Sequence, residues 1–220
     1  MSSKNEIPYS QELLRKAIHL ISLSIPLIYI IVSRETALWI LIPLMIVIIL
    51  IDILGKFYPP FAKIFNFLFG RLLREHEIRN KVVLNGASWV MISAVICVSI
   101  FPKIVFISGF CILIISDISA ALIGRKFGKT PFLDKSLEGT TAFIISAILV
   151  IIVIGIINSL PVYYYIFGFI GAIAGGLVEG ASVRLRVDDN LSIPLSICII
   201  LSIGGIVSEI FHSPFLNLLH

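Results

Sequence analysis

The sequence predicts an all-α, polytopic membrane protein with about seven transmembrane helices and one amphipathic helix at the membrane interface. Of the 220 residues, 58% are hydrophobic, and the mean hydropathy is +1.07. Only 14% are charged, whereas a soluble domain has roughly 25% charged residues. Apolar stretches long enough to cross a bilayer, roughly 20 residues, recur along the chain. We expect one domain over residues 1–220.

Seven stretches are candidates for membrane spans. They comprise residues 17–32, 36–54, 82–101, 104–123, 140–158, 162–181 and 191–211. The first is short, and Arg34 and Glu35 leave only a tight turn before the second, so these two could instead form one re-entrant hairpin. We expect no cleavable signal peptide, because no small-residue cleavage site ends the first stretch and further spans follow. Cys97, Cys111 and Cys198 stand singly in apolar stretches, and we expect them to be small buried side chains.

Residues 57–77 form a segment of different character. It begins with Pro59 and Pro60, and its apolar residues recur at helical spacing among basic ones such as Lys63. This pattern is typical of a helix lying in the membrane interface. Such a helix would act as an anchor, or as a gate beside an entrance for lipid.

The basic residues predict the orientation of the chain. With the N-terminus inside, all of the 17 basic residues except Arg34 and Lys103 fall on the inner side. Cytoplasmic loops carry such an excess of Lys and Arg, so we expect the N-terminus inside and, after seven spans, the C-terminus outside. The net charge of +4 is then explained by topology and by attraction to lipid head groups or nucleotide phosphates, with no nucleic acid as partner. The sequence has no convincing internal repeat, which weakens the prediction of an inverted-repeat transporter.

Two motifs begin predicted spans at the inner face. In Arg15-Lys16-x-x-His19, Arg15 and His19 lie one helical turn apart and share a face. The cations could hold phosphate, or they could be simple topology anchors. In Asn85-Gly86-Ala87, Asn85 would contact a ligand or a neighbouring helix.

Asp117 lies about two turns before the inner end of the predicted fourth span. A carboxylate at the centre of a bilayer costs about 2.5 to 3.5 kcal/mol on insertion scales, so such a group usually faces a polar cavity or a charged partner. At helical spacing Ala121, Gly124 and Gly128 follow on one face, which would leave room for a bulky ligand. A structural salt bridge is the alternative role of Asp117.

Basic residues accompany these glycines. Arg125 and Lys129 lie beside a segment where Asp117 could bind Mg²⁺ and the glycines could approach phosphates. The stretch from Gly124 to Thr130 has three residues between its glycines, where a P-loop has four. It also follows an apolar helix, whereas a P-loop follows a strand, so we reject a P-loop.

The fourth motif, Lys135-Ser136-Leu-Glu138-Gly139-Thr140, enters the predicted fifth span. Ser136 is a candidate N-cap, and the free N–H groups of the helix start could also bind an anion together with Lys135. Glu138 could hold a metal ion or act as a base. Good capping of the helix would explain the same residues.

The fifth motif joins the last two predicted spans. Glu179 lies at the inner end of a span whose closely spaced glycines favour tight helix packing, which would turn Glu179 towards the protein interior. Asp188, Asp189 and Asn190 follow it. Asn190 could cap the last helix, and the two aspartates could be solvated turn residues.

In this order the five motifs resemble the family of CTP-dependent polyprenol, dolichol and phytol kinases and the fungal-type CTP-dependent diacylglycerol kinase. The similarity covers nearly the whole chain, including Asp189-Asn190-Leu191-Ser-Ile-Pro194. It implies phosphate transfer from CTP to a lipid hydroxyl, and it points to Arg15, Lys16, Asp117 and Gly124 as essential positions.

The expected mechanism follows from the motifs and this resemblance together. Mg²⁺ would be held by Asp117 with Glu138 or Asp189, and the base would be Glu138, Glu179 or His19. The residues expected to bind the nucleotide are Asn85, Gly124, Arg125, Gly128, Lys129, Lys135, Ser136, Gly139, Thr140 and Asn190. The first expected acceptor is a polyprenol or dolichol-type alcohol, followed by phytol or geranylgeraniol and then diacylglycerol. A CDP-lipid-forming cytidylyltransferase and a membrane transporter or channel remain alternatives.

Overall fold

The computed structural model describes residues 9–70, 84–185 and 187–216. Within these ranges the chain is almost entirely helical, with one short two-stranded hairpin. The elements are α1 (Tyr9–Ile21), α2 (Ser24–Ile31), α3 (Arg34–Phe57), α4 (Pro59–Phe69), α5 (Gly86–Ile100), α6 (Lys103–Phe127), β1 (Pro131–Phe132), β2 (Lys135–Ser136), α7 (Leu137–Ile157), α8 (Val162–Gly180), α9 (Ser182–Leu185) and α10 (Asp189–Ile210).

The chain is an all-α, multi-pass membrane protein. Among the described residues, six stretches are long and apolar enough to cross a bilayer: α1 with α2 (Gln11–Ile31), α3, α6, α7, α8 and α10. Helix α5, with 15 residues, is shorter. It corresponds to the predicted stretch 82–101, whose first two residues lie outside the described ranges. The first two stretches have 21 and 24 residues, a length that favours two separate spans over one re-entrant hairpin.

Helix α6 is the centre of the bundle. It is buried without interruption from Lys103 to Ile114, and it contacts α1, α2, α5, α7 and α10. Its Gly109 permits the approach of α10, since a Cβ there would lie 2.6 Å from the Cys198 Sγ atom. By contrast, α3 exposes many apolar side chains, including 81% of Trp39, as expected for a helix whose surroundings are lipid. All three cysteines are free and buried, as predicted.

The glycines of α8 pack this helix against its neighbours. A Cβ at Gly168 would lie 2.6 Å from Ile151, and one at Gly176 would lie 2.6 Å from Ile144, both on α7. This confirms the close packing predicted from the glycine spacing. It also turns Glu179 inwards, where only 2% of the residue is exposed.

Helix α4 covers Pro59–Phe69 of the predicted interfacial segment. It packs on α3 through Phe65, whose ring lies 2.7 Å from the position that a Cβ of Gly55 would take, while 88% of Phe67 is exposed. Residues 71–77 of the predicted segment lie outside the described ranges. Its role as an anchor or a gate stays a prediction.

The two basic residues predicted on the outer side lie at one end of the bundle. The Arg34 Nη2 atom donates to the Phe101 carbonyl at 2.7 Å, and the Lys103 ammonium lies 5.3 Å from the centre of the Tyr29 ring. Helices α3 and α6 begin at this end, and each carries a buried carboxylate, Asp52 or Asp117, towards its other end. The bundle therefore has an end with few charges and an opposite end that holds the candidate site.

Candidate active site

The candidate site lies where the C-terminal parts of α6 and α8 meet α1, the β1–β2 hairpin and the N-terminus of α10. Its centre is a group of charged and polar side chains that we call the buried charge cluster. The cluster consists of Lys16 and His19 from α1, Asp117 from α6, Lys135 from β2, Glu179 from α8 and Asp189 from α10. Four of the five motifs that the sequence singled out contribute to it.

Asp117 pairs with the first motif. The Lys16 Nζ atom donates to Asp117 Oδ2, and the His19 Nε2 atom lies 3.6 Å from the same oxygen. Only 6% of Asp117 and 5% of Lys16 are exposed. A charge buried to this extent needs a partner, because an unpaired one would carry a large desolvation cost. The salt bridge considered as an alternative role of Asp117 therefore exists, and it links two motifs 101 residues apart.

Arg15 faces another carboxylate. Its Nη2 atom donates to Glu12 Oε1 at 2.7 Å, one turn earlier on α1. Glu12 is itself only 4% exposed. The structure therefore pairs Arg15 within its own helix and leaves the contact with Asp117 to Lys16 and His19.

Lys135 is the second cation of the buried charge cluster. Its Nζ atom lies 2.5 Å from Glu179 Oε1 and 3.8 Å from Asp189 Oδ2, while about a third of its side chain, 33%, stays exposed. Burial disfavours the charged form, but the carboxylates of Glu179, Asp189 and Asp117 outweigh it and raise the pKa of Lys135 above its usual value. Lys135 is therefore a permanent cation among three carboxylates.

One carboxylate oxygen of the cluster is free. Glu179 Oε2 is buried and has no hydrogen-bond partner, although Oε1 of the same group contacts Lys135. Buried polar atoms are nearly always paired in folded proteins. An unpaired carboxylate oxygen in the protein interior is therefore available for a proton, a metal ion or a substrate hydroxyl.

The glycines after Asp117 pack against the N-terminus of α7, and their contact with a nucleotide stays a prediction. A Cβ at Gly124 would lie 3.1 Å from Ser136 Oγ and 3.3 Å from the Cα atom of Gly139, and one at Gly128 would lie 2.6 Å from Ser136 Oγ. The N-terminus of α7 thus fills the space that the sequence assigned to a bulky ligand. Gly124, Gly128 and Gly139 bring α6 and α7 together, which fixes where the hairpin before α7 can lie.

The entrance to α7 is capped as predicted. Ser136 Oγ accepts the Gly139 N–H at 3.2 Å, and Thr140 is buried with its Oγ1 atom unpaired. Glu138 accepts hydrogen bonds from the Thr130 N–H and hydroxyl, both at 3.1 Å, which ties its carboxylate to the loop before β1. Glu138 therefore holds this loop against the start of α7, and its role as a base or metal ligand stays a prediction. Lys129 is exposed in the same loop and Arg125 lies half-buried in the last turns of α6.

The second and fifth motifs meet at the start of α5. Asn85 caps α5 by accepting the Ser88 N–H at 2.9 Å, and a Cβ at Gly86 would lie 3.4 Å from the Asn190 Nδ2 atom. The prediction that Asn190 caps α10 is wrong. Asp188 is the cap, since its Oδ1 atom accepts both the N–H of Asn190 at 3.0 Å and the Nδ2 group at 2.8 Å. Asp189 is not a solvated turn residue either, since it is 7% exposed.

Sequence reasoning missed Asp52. This carboxylate is fully buried in α3, pairs with Lys56 at 2.7 Å and accepts the Asn85 N–H at 2.8 Å and the Ser88 hydroxyl at 3.2 Å. It therefore fixes the N-terminus of α5 beside the fifth motif. The signal was available, because Asp52 lies within the predicted apolar stretch 36–54, where an acidic residue usually has a charged partner or faces a polar cavity.

The carboxylates of the site fit a metal ion bound together with phosphate. Among the described residues, no three His, Cys, Asp or Glu side chains are grouped to hold a metal, so Asp117, Glu138 and Asp189 do not form a ready ligand set. Mg²⁺ needs only one or two protein carboxylates when substrate phosphates supply further ligands. Asp117 and Asp189, whose charges both act on Lys135, could supply these one or two carboxylates.

Known proteins resemble the chain over most of its length. It is 31% identical over 192 residues to an uncharacterized protein of Rickettsia prowazekii, a match that covers 84% of this chain and 90% of that protein. It is 31% identical over 167 residues to the CTP-dependent diacylglycerol kinase 1 of Schizosaccharomyces pombe, covering 68% of this chain and 72% of the kinase. The kinase of the same name from Saccharomyces cerevisiae is 27% identical over 187 residues, covering 74% and 62%. No family model and no solved structure matches the chain.

Proposed function

Since the chain belongs to the family of CTP-dependent diacylglycerol kinases, we propose that it is a CTP-dependent lipid kinase that transfers the terminal phosphate of CTP to the hydroxyl of a membrane lipid. One observation carries the proposal beyond the relatives. Side chains from four distant motifs form a buried charge cluster of cations and carboxylates at one end of a bundle surrounded by lipid. Phosphoryl transfer requires such an arrangement, because its catalysis is mainly positioning and electrostatic stabilisation of phosphate charge.

The two lysines of the cluster would bind the phosphates. Lys16 and Lys135 are held within a few ångströms of Asp117 and Glu179, so their ammonium groups lie where both could bind phosphate. A nucleotide phosphate would bind between them, beside the N-terminus of α7. Bound Mg²⁺ would neutralise phosphate charge, with Asp117 and Asp189 as the residues that would hold it together with the phosphates.

Glu179 is the best candidate for the base. Glu138 is engaged by Thr130, whereas Glu179 has a buried free oxygen next to Lys135. The lipid hydroxyl would give its proton to Glu179 Oε2 as its oxygen bonds to the terminal phosphorus, and CDP would leave with the bridging oxygen. His19, whose Nε2 atom is also buried without a hydrogen-bond partner, is the second candidate.

The acceptor that the relatives' names favour is diacylglycerol. A polyprenol or dolichol-type alcohol, which the sequence motifs suggest first, is the other candidate. Both present a hydroxyl at the interface and keep their chains in the bilayer. The site would face the cytosol, since the excess of basic residues at its end of the bundle favours the cytoplasmic side.

The test is a panel of donors and acceptors with the full chain purified in detergent. CTP, ATP and GTP are each combined with Mg²⁺ and with diacylglycerol, dolichol, polyprenol or phytol, and lipid phosphate is measured. The proposal predicts that one class of acceptor is phosphorylated and that CTP is a better donor than ATP or GTP. A folded sample that yields no lipid phosphate with any donor would overturn it and favour a transporter.

A further inference from the structure

The turn of the β1–β2 hairpin lacks the residue that such a turn favours. Leu133 and Asp134 connect Phe132 and Lys135, which pair across the two strands. Leu133 has a φ angle of 52°, in the left-handed region that residues other than Gly and Asn rarely adopt. The turn is therefore poorly supported by its own sequence, and contacts from elsewhere must hold it in this shape.

Arg184 and Asp134 supply those contacts, and we call this pair the hairpin latch. The Arg184 N–H donates to Asp134 Oδ2 at 2.9 Å, and its Nε atom donates to Oδ1 at 2.8 Å. The Nη2 atom of Arg184 donates to the Leu133 carbonyl at 3.2 Å. In addition, the Asp134 N–H donates to the Gly180 carbonyl at 2.9 Å. Four hydrogen bonds thus join a two-residue turn to the end of α8 and to α9.

The hairpin latch lies next to Lys135 in the hairpin and next to its partner Glu179 at the end of α8. Lys135 follows Asp134, and its partner Glu179 precedes Gly180, the residue that accepts the Asp134 N–H. Gly180 also keeps the turn close, since a Cβ there would lie 3.2 Å from Leu133 Cδ1. A change in the latch would therefore shift the Lys135 ammonium relative to Glu179 and Asp189.

We propose that Arg184 is a positioning residue that acts through Asp134 to hold Lys135 where it binds the terminal phosphates of the nucleotide. The inference rests on the proposed function, because that function makes the nucleotide phosphate the group that Lys135 binds. Arg184 itself lies outside the cluster, with 63% of its side chain exposed, so its contribution is transmitted by the hairpin.

The experiment measures CTP binding and lipid-kinase kinetics of the full chain carrying Arg184→Ala or Asp134→Ala. Each change should lower CTP affinity by roughly five- to tenfold, the size of coupling expected between residues in contact, and should lower kcat less. Arg184→Lys keeps the charge but cannot form the fork-shaped contact, so it should behave like Arg184→Ala. Lys63→Ala removes an exposed positive charge at the same end of the bundle and should leave CTP affinity unchanged.

A second set of variants separates positioning from general stability. In a Lys135→Ala background, Arg184→Ala should lower CTP affinity no further, because the side chain that it positions is gone. Equal losses with and without Lys135, or wild-type affinity in the folded Arg184→Ala variant, would overturn the inference while leaving the kinase proposal intact. If the wild-type chain binds CTP neither alone nor with Mg²⁺, the proposed function itself fails.

Discussion

At the scale of single residues, the pair of Lys16 and Asp117 is a buried structural contact, and we predict that the activity also needs it. Asp117→Asn would leave the Lys16 ammonium buried without its carboxylate, a loss that costs about 3 to 5 kcal/mol when one partner of a buried pair is removed. The double change of Lys16→Met with Asp117→Asn removes both charges. We expect it to recover most of the thermal stability but none of the kinase activity.

Thermal unfolding and lipid-phosphate formation, measured on the same preparations, check this prediction. If the double variant recovered activity together with stability, the pair would have only a structural role. If Asp117→Asn unfolded at the wild-type temperature, the buried contact between Lys16 and Asp117 would itself be in doubt.

Two glutamates near α7 offer a matched comparison. Glu179→Gln should lower kcat by roughly 100-fold or more, the usual contribution of a general base, while CTP still binds. Glu138→Gln keeps an acceptor for the Thr130 N–H and should change kcat only a few-fold. Steady-state kinetics with saturating CTP distinguish the two, and a larger loss for Glu138→Gln would transfer the role of base to Glu138.

The sequence predicted those residues whose polarity conflicts with their surroundings. Asp117 and Glu179 were found because an acidic residue in an apolar stretch is costly unless it has a charged partner or faces a polar cavity. It could not predict which lysine pairs with which carboxylate, because the Lys16–Asp117 contact spans 101 residues and depends on how helices cross. Asp52 was overlooked although it gives the same signal as Asp117.

At the scale of elements, the junction of α6 and α7 depends on glycine. Gly124→Ala would place a Cβ 3.3 Å from the Gly139 Cα atom. Because that atom belongs to the backbone, the N-terminus of α7 would have to shift to relieve the contact. We expect a loss of about 1 to 3 kcal/mol, typical of overpacking, and lower activity because the N-terminus of α7 moves with Ser136 and Lys135.

Gly171→Ala is the matched control on α8. Its Cβ would lie 3.6 Å from the nearest atom of Ile197, an ordinary contact, so stability and activity should be unchanged or slightly higher. The comparison uses melting temperatures and initial rates. Equal effects of the two substitutions would contradict the assigned role of Gly124.

Helices could be predicted from the sequence, whereas the hairpin could not. Long apolar stretches, together with capping residues such as Ser136, predict α7 and the other long helices. Strands of two residues, such as Pro131–Phe132, are too short to show a period, and their pairing depends on the latch to α9. The packing of Gly124 and Gly128 against α7 was not predicted for a related reason, since small residues at helical spacing serve close packing as readily as ligand binding.

At the scale of the whole molecule, the charge distribution predicts the orientation in the membrane. Val187 follows α9 at the site end, and Ser159 lies in the turn between α7 and α8 at the opposite end. In intact cells, Ser159→Cys should react with a membrane-impermeant maleimide, whereas Val187→Cys should react only after the membrane is opened. The native cysteines are buried and should contribute little background. The reverse labelling pattern would place the site outside and contradict a cytosolic CTP site.

The central claim is that this site transfers the terminal phosphate of CTP to a lipid hydroxyl. The most direct measurement follows two labels, on the α- and γ-phosphates of CTP, with the purified chain, Mg²⁺ and diacylglycerol, polyprenol or a lipid phosphate such as phosphatidic acid, beside the Lys16→Met/Asp117→Asn variant. We predict that the γ-label enters the lipid, that the α-label stays in released CDP, and that the variant transfers neither. Transfer of the α-label to lipid with release of pyrophosphate would identify a cytidylyltransferase and contradict the claim.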